Sequence, residues 1–516
     1  MKVAVVGGGI SGLTAVWLLN EYSEHEVDLF EANKYVGGHT NTVVYKGTPV
    51  DTGFIVFNKL TYPNFLKFLE ILNVDYIASD MSFSVKRAFG SAYEWSGNGL
   101  ASLFSGIASW SDWISQFRLI WDLIRFNHLA VDALSGPDGD LTIQEYLSKH
   151  RYSDSFQRNY LLPIISSIWS TPANKSAMHF PTRTLIRFLA NHHLLQVFNQ
   201  PQWLTIKNGS KTYVNKILSK LDPRSCFKST PIESISIDQS TKQIYLRAVD
   251  SETVYGPYDQ VIFGSHADQT VDILKNSDCA GTLSTAIDIL SRFQFNQNEA
   301  VLHNDVSMMP RRRNTWTSWN YLITDPSQNL DRPQRHPTKY DTQEKGIDVT
   351  TVEKTDLLDE PAPIDPGENL RPSPCDIKST QGNQPQVDRG TNRLYIATFS
   401  TDPPMQSVKA QGEIGSIQTK NGLSFVGAWT NYGFHEDGLT SSLRLLLVEK
   451  PQLFAVRSPF EKVAVSEEVV KPAGRGTRSL FALVQLFIQI VCHLVWLSRK
   501  VLHPLFSQQA VKQKLA

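Results

Sequence analysis

The sequence predicts an α/β protein in which a nucleotide-binding βαβ domain is assembled from segments far apart in the chain, around a second, mostly helical domain. Three observations predict it: a glycine-rich turn between an N-terminal strand and helix, strand-like segments that return after residue 230, and a long helical pattern between them. At 516 residues the chain exceeds what one hydrophobic core usually holds. Two or three compact units are expected.

Residues 2–6 (KVAVV) form a β-branched run that ends in glycines, and the stretch from Ser11 has helical apolar spacing at Leu13, Val16, Trp17 and Leu19. Residues 26–32 (EVDLFEA) read as a second strand, which closes a βαβ unit with the helix joining a parallel pair. Residues 1–54 are therefore the first part of the nucleotide-binding domain. Residues 55–205 turn helical at 63–72, 110–126 and 141–150 and form the first part of a substrate domain. Strands at 232–237, 243–249 and 260–265 return the chain to the nucleotide-binding domain, assigned to 206–275, with 276–324 going back to the substrate domain and 393–450 supplying the last piece. Residues 325–392 hold nine prolines and a single aromatic, Tyr340. Too little apolar area is available there to offset ordering entropy, so a disordered insertion is expected.

Lys+Arg and Asp+Glu are 50 each, so no global basic field attracts nucleic acid. Cys226, Cys279, Cys375 and Cys492 are scattered and lack His at ligand spacing, which predicts no metal site and a reducing, intracellular setting. The N-terminus does not read as a signal peptide, because Gly7, Gly8 and Gly9 interrupt its apolar stretch. Residues 480–497 are an apolar run bracketed by Arg475 and Arg478 and by Arg499 and Lys500. Its polar members Gln485, Gln489 and His493 share one helical stripe. Membrane association through this run is expected within a C-terminal segment 475–516, either as a transmembrane helix or as an anchor lying in the interface.

Gly7-Gly8-Gly9-Ile10-Ser11-Gly12 is a G-x-G-x-x-G turn between strand and helix, and Glu31 closes the next strand nineteen residues after Gly12. Gly7 permits the turn, Gly9 admits a pyrophosphate to the backbone, and Gly12 lets helix and strand pack closely. The amides of Ile10 and Ser11 at the helix N-terminus complement phosphate charge, and Glu31 accepts ribose hydroxyls. This is a Rossmann-like dinucleotide fingerprint, and it does not separate FAD from NAD.

Further motifs are Val36-Gly37-Gly38-His39, Val50-Asp51-Thr52-Gly53-Phe54, Phe425-Val426-Gly427-Ala428-Trp429 and Phe434-His435-Glu436-Asp437-Gly438-Leu439. Together they resemble the flavin-containing amine oxidase superfamily, and more narrowly a branch of FAD-binding oxidoreductases found beside cyclopropane fatty acid synthases. The resemblance covers about 1–320 and 415–450. It implies an amine oxidase or glutathione-reductase-like fold with FAD stretched between the first βαβ unit and residues 427–439. By the same resemblance Gly37, Gly38, His39 and Phe54 lie against pyrophosphate and flavin, and Ile232 meets the adenine. Gly427, Ala428, Trp429, Asp437, Gly438 and Leu439 surround the flavin, with a helix starting near Asp437. Residues 425–442 contain no cysteine, so the FAD is expected to be noncovalent.

His435 is the titratable imidazole beside the expected flavin edge and is the candidate catalytic residue. The competing reading is a histidine satisfied in a packed loop. His192, His193 and the arginines 311–313 carry less weight, the arginines as a surface patch. The resulting function is an FAD-dependent oxidoreductase that moves hydride from an apolar, fatty-acyl or other lipid-like small molecule to flavin N5. The alternatives are an amine oxidase releasing hydrogen peroxide and a redox-neutral double-bond isomerase.

Overall fold

The structure is a computed structural model. It describes residues 1–323 apart from 88–92, 108–109, 170–177, 197–199, 301 and 303–307, then 348–351, 392–396, 404–464, 474, 476–488 and 490. Cys375, Cys492, Gln489, His493 and most of 325–392 lie outside them.

β1 (Lys2–Val6), α1 (Ile10–Tyr22) and β2 (Glu26–Phe30) form the expected βαβ unit, with β1 and β2 parallel in the register Val5 to Leu29. β1 also pairs in parallel with Gln260–Phe263, which in turn pairs with Leu423–Phe425, while the short strand Cys226–Phe227 extends the β2 edge. Five strands from distant segments thus make one sheet. The two-residue alternation of β1 explains why both faces are covered. Val3 and Val5 enter one core with α1, and Ala4 and Val6 enter the other with Val261, Phe263 and Phe425.

Helix α1 is buried from Ile10 to Leu19 on every side, beyond the single apolar stripe read from its sequence. It is sandwiched between the sheet and the helix His435–Leu443, whose Ser442 Oγ donates to Ser11 O at 2.7 Å. On the outer side Trp17 meets Phe68 of α2 (Pro63–Ile71), with ring centroids 5.0 Å apart.

The second domain is less helical than expected. Besides the helices Trp110–Leu129, Leu162–Trp169 and Thr182–Asn191 it holds a sheet of Phe83–Arg87, Glu94–Ser96 and Trp319–Ile323. Its strands are short and come from segments more than 200 residues apart, so the helical periodicity around them dominates the sequence. Asp348–Thr351 pairs antiparallel with Trp319–Ile323 at the edge of this sheet.

The tail helix spans residues 476–488 and packs on the Trp110–Leu129 helix through Phe481 and Trp121, centroids 5.4 Å apart. Among the described residues no helix is long and apolar enough to cross a membrane.

Candidate active site

A cavity of about 650 Å³ runs from the turn after β1 into the second domain. Gly7 turns with φ +104°, and a Cβ on Gly12 would lie 1.9 Å from Gly7 O, so no larger residue fits where the helix meets the turn. Gly9 differs: a Cβ there meets nothing within 4 Å, and the residue lines the cavity beside Ile10 and Ser11. The helix start therefore offers its amides to an open cradle, which fits a pyrophosphate. Glu31 borders the same space, its Oε2 accepting from Gly8 N at 2.8 Å and its Oε1 from Asn33 N at 2.8 Å. Ile232 lines the same cavity with Thr230, Pro231 and Val249.

Gly38, His39, Phe54, Gly427, Ala428, Trp429 and His435 line the inner part of the cavity. Tertiary structure thus brings together thirteen of the residues singled out in the sequence: these seven with Gly7, Gly9, Ile10, Ser11, Glu31 and Ile232. The remaining five are scaffold. Gly12 packs on Gly7, Gly37 turns at φ +137° against Thr40, and Gly438 faces Ile10 and Ser11. Leu439 is in the core, and Asp437 accepts from Phe434 N at 2.8 Å. That bond sets the helix start at His435, two residues before the expected position, because the carboxylate at the third helical position reaches back to the residue before the helix. Trp429 borders the cavity with its ring turned into the core, 4.7 Å from Phe293, and its Nε1 donates to Ser265 O.

His435, the candidate catalytic residue, lines the cavity and is tied into its wall. Its ring stacks on Phe54 with centroids 3.7 Å apart, and its Nε2 lies 2.9 Å from the Tyr213 hydroxyl and 3.1 Å from Thr40 Oγ1. Burial, with His39 nearby, holds its pKa well below the ordinary imidazole value. The imidazole is tied into a buried polar triad with Tyr213 and Thr40. Arg311–Arg313 lie on the surface, with Arg311 N and Arg312 N donating to the buried Glu94 carboxylate.

The deep chamber is made by residues that the sequence did not single out: Met81, Ile168, Phe188, Leu194, Trp203 and Trp319. His192, given little weight above, lines it too. Phe188 and His192 stand four apart at the end of one helix, rings 4.1 Å apart, and Phe434 stacks on Phe188 at 5.1 Å. The i, i+4 spacing was legible, but nothing local says which helix face looks into a cavity. His192 Nδ1 donates to Phe188 O at 3.0 Å, which leaves the lone pair on Nε2. Burial pulls its pKa down to about 4, so the ring is neutral. The acidic residues along the cavity are Glu31, Glu233 and Asp272, all toward the Ile232 end, so the chamber has no carboxylate among the described residues.

Likeness to solved structures shows what the architecture is. A CLA-producing fatty acid isomerase from P. acnes aligns at TM-score 0.54 and 13% identity over 86% of this chain and 97% of that one. Cyclohexylamine oxidase from Brevibacterium oxydans aligns at TM-score 0.55 and 12% identity over 88% and 99%. The chain has the amine oxidase fold. Within it, residues 5–72 match the family model of NAD(P)-binding Rossmann-like domains. A tryptophan 2-monooxygenase from Allorhizobium ampelinum is 48% identical over 48 residues, which is 9% of this chain and 7% of the monooxygenase. The match covers only that small part of the monooxygenase.

Proposed function

We propose that this chain is an FAD-dependent oxidoreductase acting on an uncharged, apolar small molecule. The observation that carries the reading is the continuity of one cavity. Its outer part is a dinucleotide cradle at Gly9, Glu31 and Ile232, and its inner part is an aromatic chamber in which no described residue supplies a carboxylate.

The residues present fit noncovalent FAD. Gly7, Gly9 and the α1 N-terminus would hold the pyrophosphate, Glu31 the ribose, and the 230–232 backbone the adenine. Gly38, His39, Gly427 and Ala428 would border the ring system. FAD, when bound, supplies a two-electron acceptor for hydride. The chain's own part is positioning. Phe188, Phe434, Ile168 and Trp203 exclude water and align an apolar body. His192 Nε2 offers a single acceptor to a hydroxyl or other donor on the substrate, and the Phe188 carbonyl holds its tautomer. The helix His435–Leu443 points its positive end at the cavity, where negative charge is stabilised.

The amine reading is the alternative: among the described residues no carboxylate lines the chamber, so an ammonium would meet only aromatic faces and the His192 acceptor. Likeness over 86% of the chain to a fatty acid isomerase supports a redox-neutral variant in which hydride returns to the same substrate. Purified protein should be yellow and release its flavin on acid precipitation. Under anaerobic conditions an unsaturated fatty acid should bleach the flavin if the net reaction is oxidation, and give product without net bleaching if it is isomerisation. Bleaching by simple amines alone would overturn the apolar assignment.

A further inference from the structure

The helix Trp110–Leu129 has two unlike faces. Leu119, Asp122, Arg125 and Phe126 are buried on one. On the other, Trp110, Trp113, Phe117, Trp121, Ile124 and His128 recur at intervals of three and four, a single stripe. The tail helix covers only the C-terminal half of this stripe. Phe481 meets Trp121 and His128 at 5.4 and 5.5 Å, Trp121 Nε1 donates to Gln485 Oε1 at 2.6 Å, and Arg478 pairs with Asp132 at 2.9 Å. Partners that descend from 132 to 121 as the tail ascends from 478 to 485 make the two helices antiparallel. Gln485, the polar interruption of the apolar run, is thereby turned onto the protein.

What remains outside is apolar. On the tail, Leu480, Leu483, Leu486, Phe487 and Ile490 face solvent, Leu483 at 66% and Phe487 at 65% exposure. Beside them Trp110 is 75% and Phe117 57% exposed, and Trp113 lies between Phe104 and Phe117, ring centroids 5.2 and 5.9 Å away. Soluble surfaces rarely gather so many large apolar side chains on adjoining helices. In the sequence the tail is cationic: residues 471–516 contain seven Lys and Arg and no Asp or Glu, in a chain otherwise balanced at 50 and 50.

We infer that the Trp110–Leu129 helix and the tail helix together form a monotopic platform that beds into the headgroup and acyl boundary of an anionic lipid bilayer without crossing it. Three features favour lipid over a protein partner. Tryptophan and phenylalanine cluster as they do at membrane interfaces, the cationic flanks complement anionic headgroups, and the run's polar position is satisfied by the protein. The inference does not depend on the identity of the cofactor.

The test is flotation of the full-length protein with phosphatidylcholine vesicles containing phosphatidylglycerol. The protein should float with the vesicles and be released by alkaline carbonate. The triple variants W110S/W113S/F117S and L483S/F487S/I490S should each lower the bound fraction roughly tenfold or more. Because these side chains are exposed, the unfolding midpoint should not change. Four results would each overturn the platform: no flotation of the wild type, resistance to carbonate, wild-type binding by the Trp110 triple variant, or a dimer without vesicle binding that both triples dissociate.

Discussion

The imidazole of His435 lies flat on the ring of Phe54, centroids 3.7 Å and planes 7° apart. With Nε2 held by Tyr213 and Thr40, this stacking makes a titratable residue into part of a wall. The pH dependence of kcat/KM should therefore show no step from His435 between pH 6 and 8. Replacement H435F keeps the stack but removes one of the two partners of the Tyr213 hydroxyl, which retains Thr40 Oγ1, and should cost about 0.5–1.5 kcal/mol of stability. Urea unfolding measures that cost, and a pH profile that loses a limb in H435N would return the residue to a catalytic role.

Gly9 and Gly12 should respond oppositely to a methyl group. A Cβ on Gly9 enters the cradle without touching protein, so G9A should fold with an unchanged melting midpoint and lose bound flavin. On Gly12 it would meet Gly7 O at 1.9 Å, so G12A should lose stability itself, by several kcal/mol if the turn does not yield. Flavin stoichiometry against melting temperature separates the two.

Truncation at His192 removes the chamber's acceptor. H192A should lower kcat/KM by roughly tenfold to a hundredfold for a substrate that bears a hydrogen-bond donor, as expected for one lost hydrogen bond in a dry site. H192Q, which retains an acceptor, should recover part of it. Equal loss in both variants would mean that the ring serves only to pack against Phe188.

Three histidines should make the fold sensitive to acid. Burial lowers His192 to about 4 and His266 to about 3, and His435 falls well below its ordinary value. As pH drops below about 6.5 the unfolded chain takes up protons that the folded chain refuses. Their contribution is thus complete above pH 6.5 and lost below it.

Glu436 works against that trend. Its carboxylate accepts from Asn64 N and Phe65 N at the start of α2, bonds that favour ionisation, yet burial outweighs them and raises its pKa to about 8. The folded state keeps this proton after the unfolded state has released it near the ordinary carboxyl value of 4.5. The contribution is therefore full below pH 4.5 and gone as pH rises through 8. Urea-unfolding free energies at pH 6 and pH 9 should differ less in E436Q than in the wild type. E436A should lose about 1–3 kcal/mol, because two buried amides go unpaired.

The sequence by itself determined the cradle. Strand, glycine turn, helix and acid are near neighbours, and their roles follow from backbone sterics and the helix dipole, so Gly7, Gly9, Gly12 and Glu31 were legible without a partner element. It also determined that the nucleotide-binding sheet is discontinuous, since β-branched runs announce themselves wherever they fall. Only the tertiary structure decided the chamber. Phe188, His192, Ile168, Trp203 and Trp319 look like ordinary core positions of helices and strands, and become a cavity wall because segments hundreds of residues apart stop short of filling the space between them. The same reason set His435 flat against Phe54 and turned Gln485 inward. Which face of an element meets protein, cavity or solvent depends on its neighbours, and periodicity alone carries no information about them.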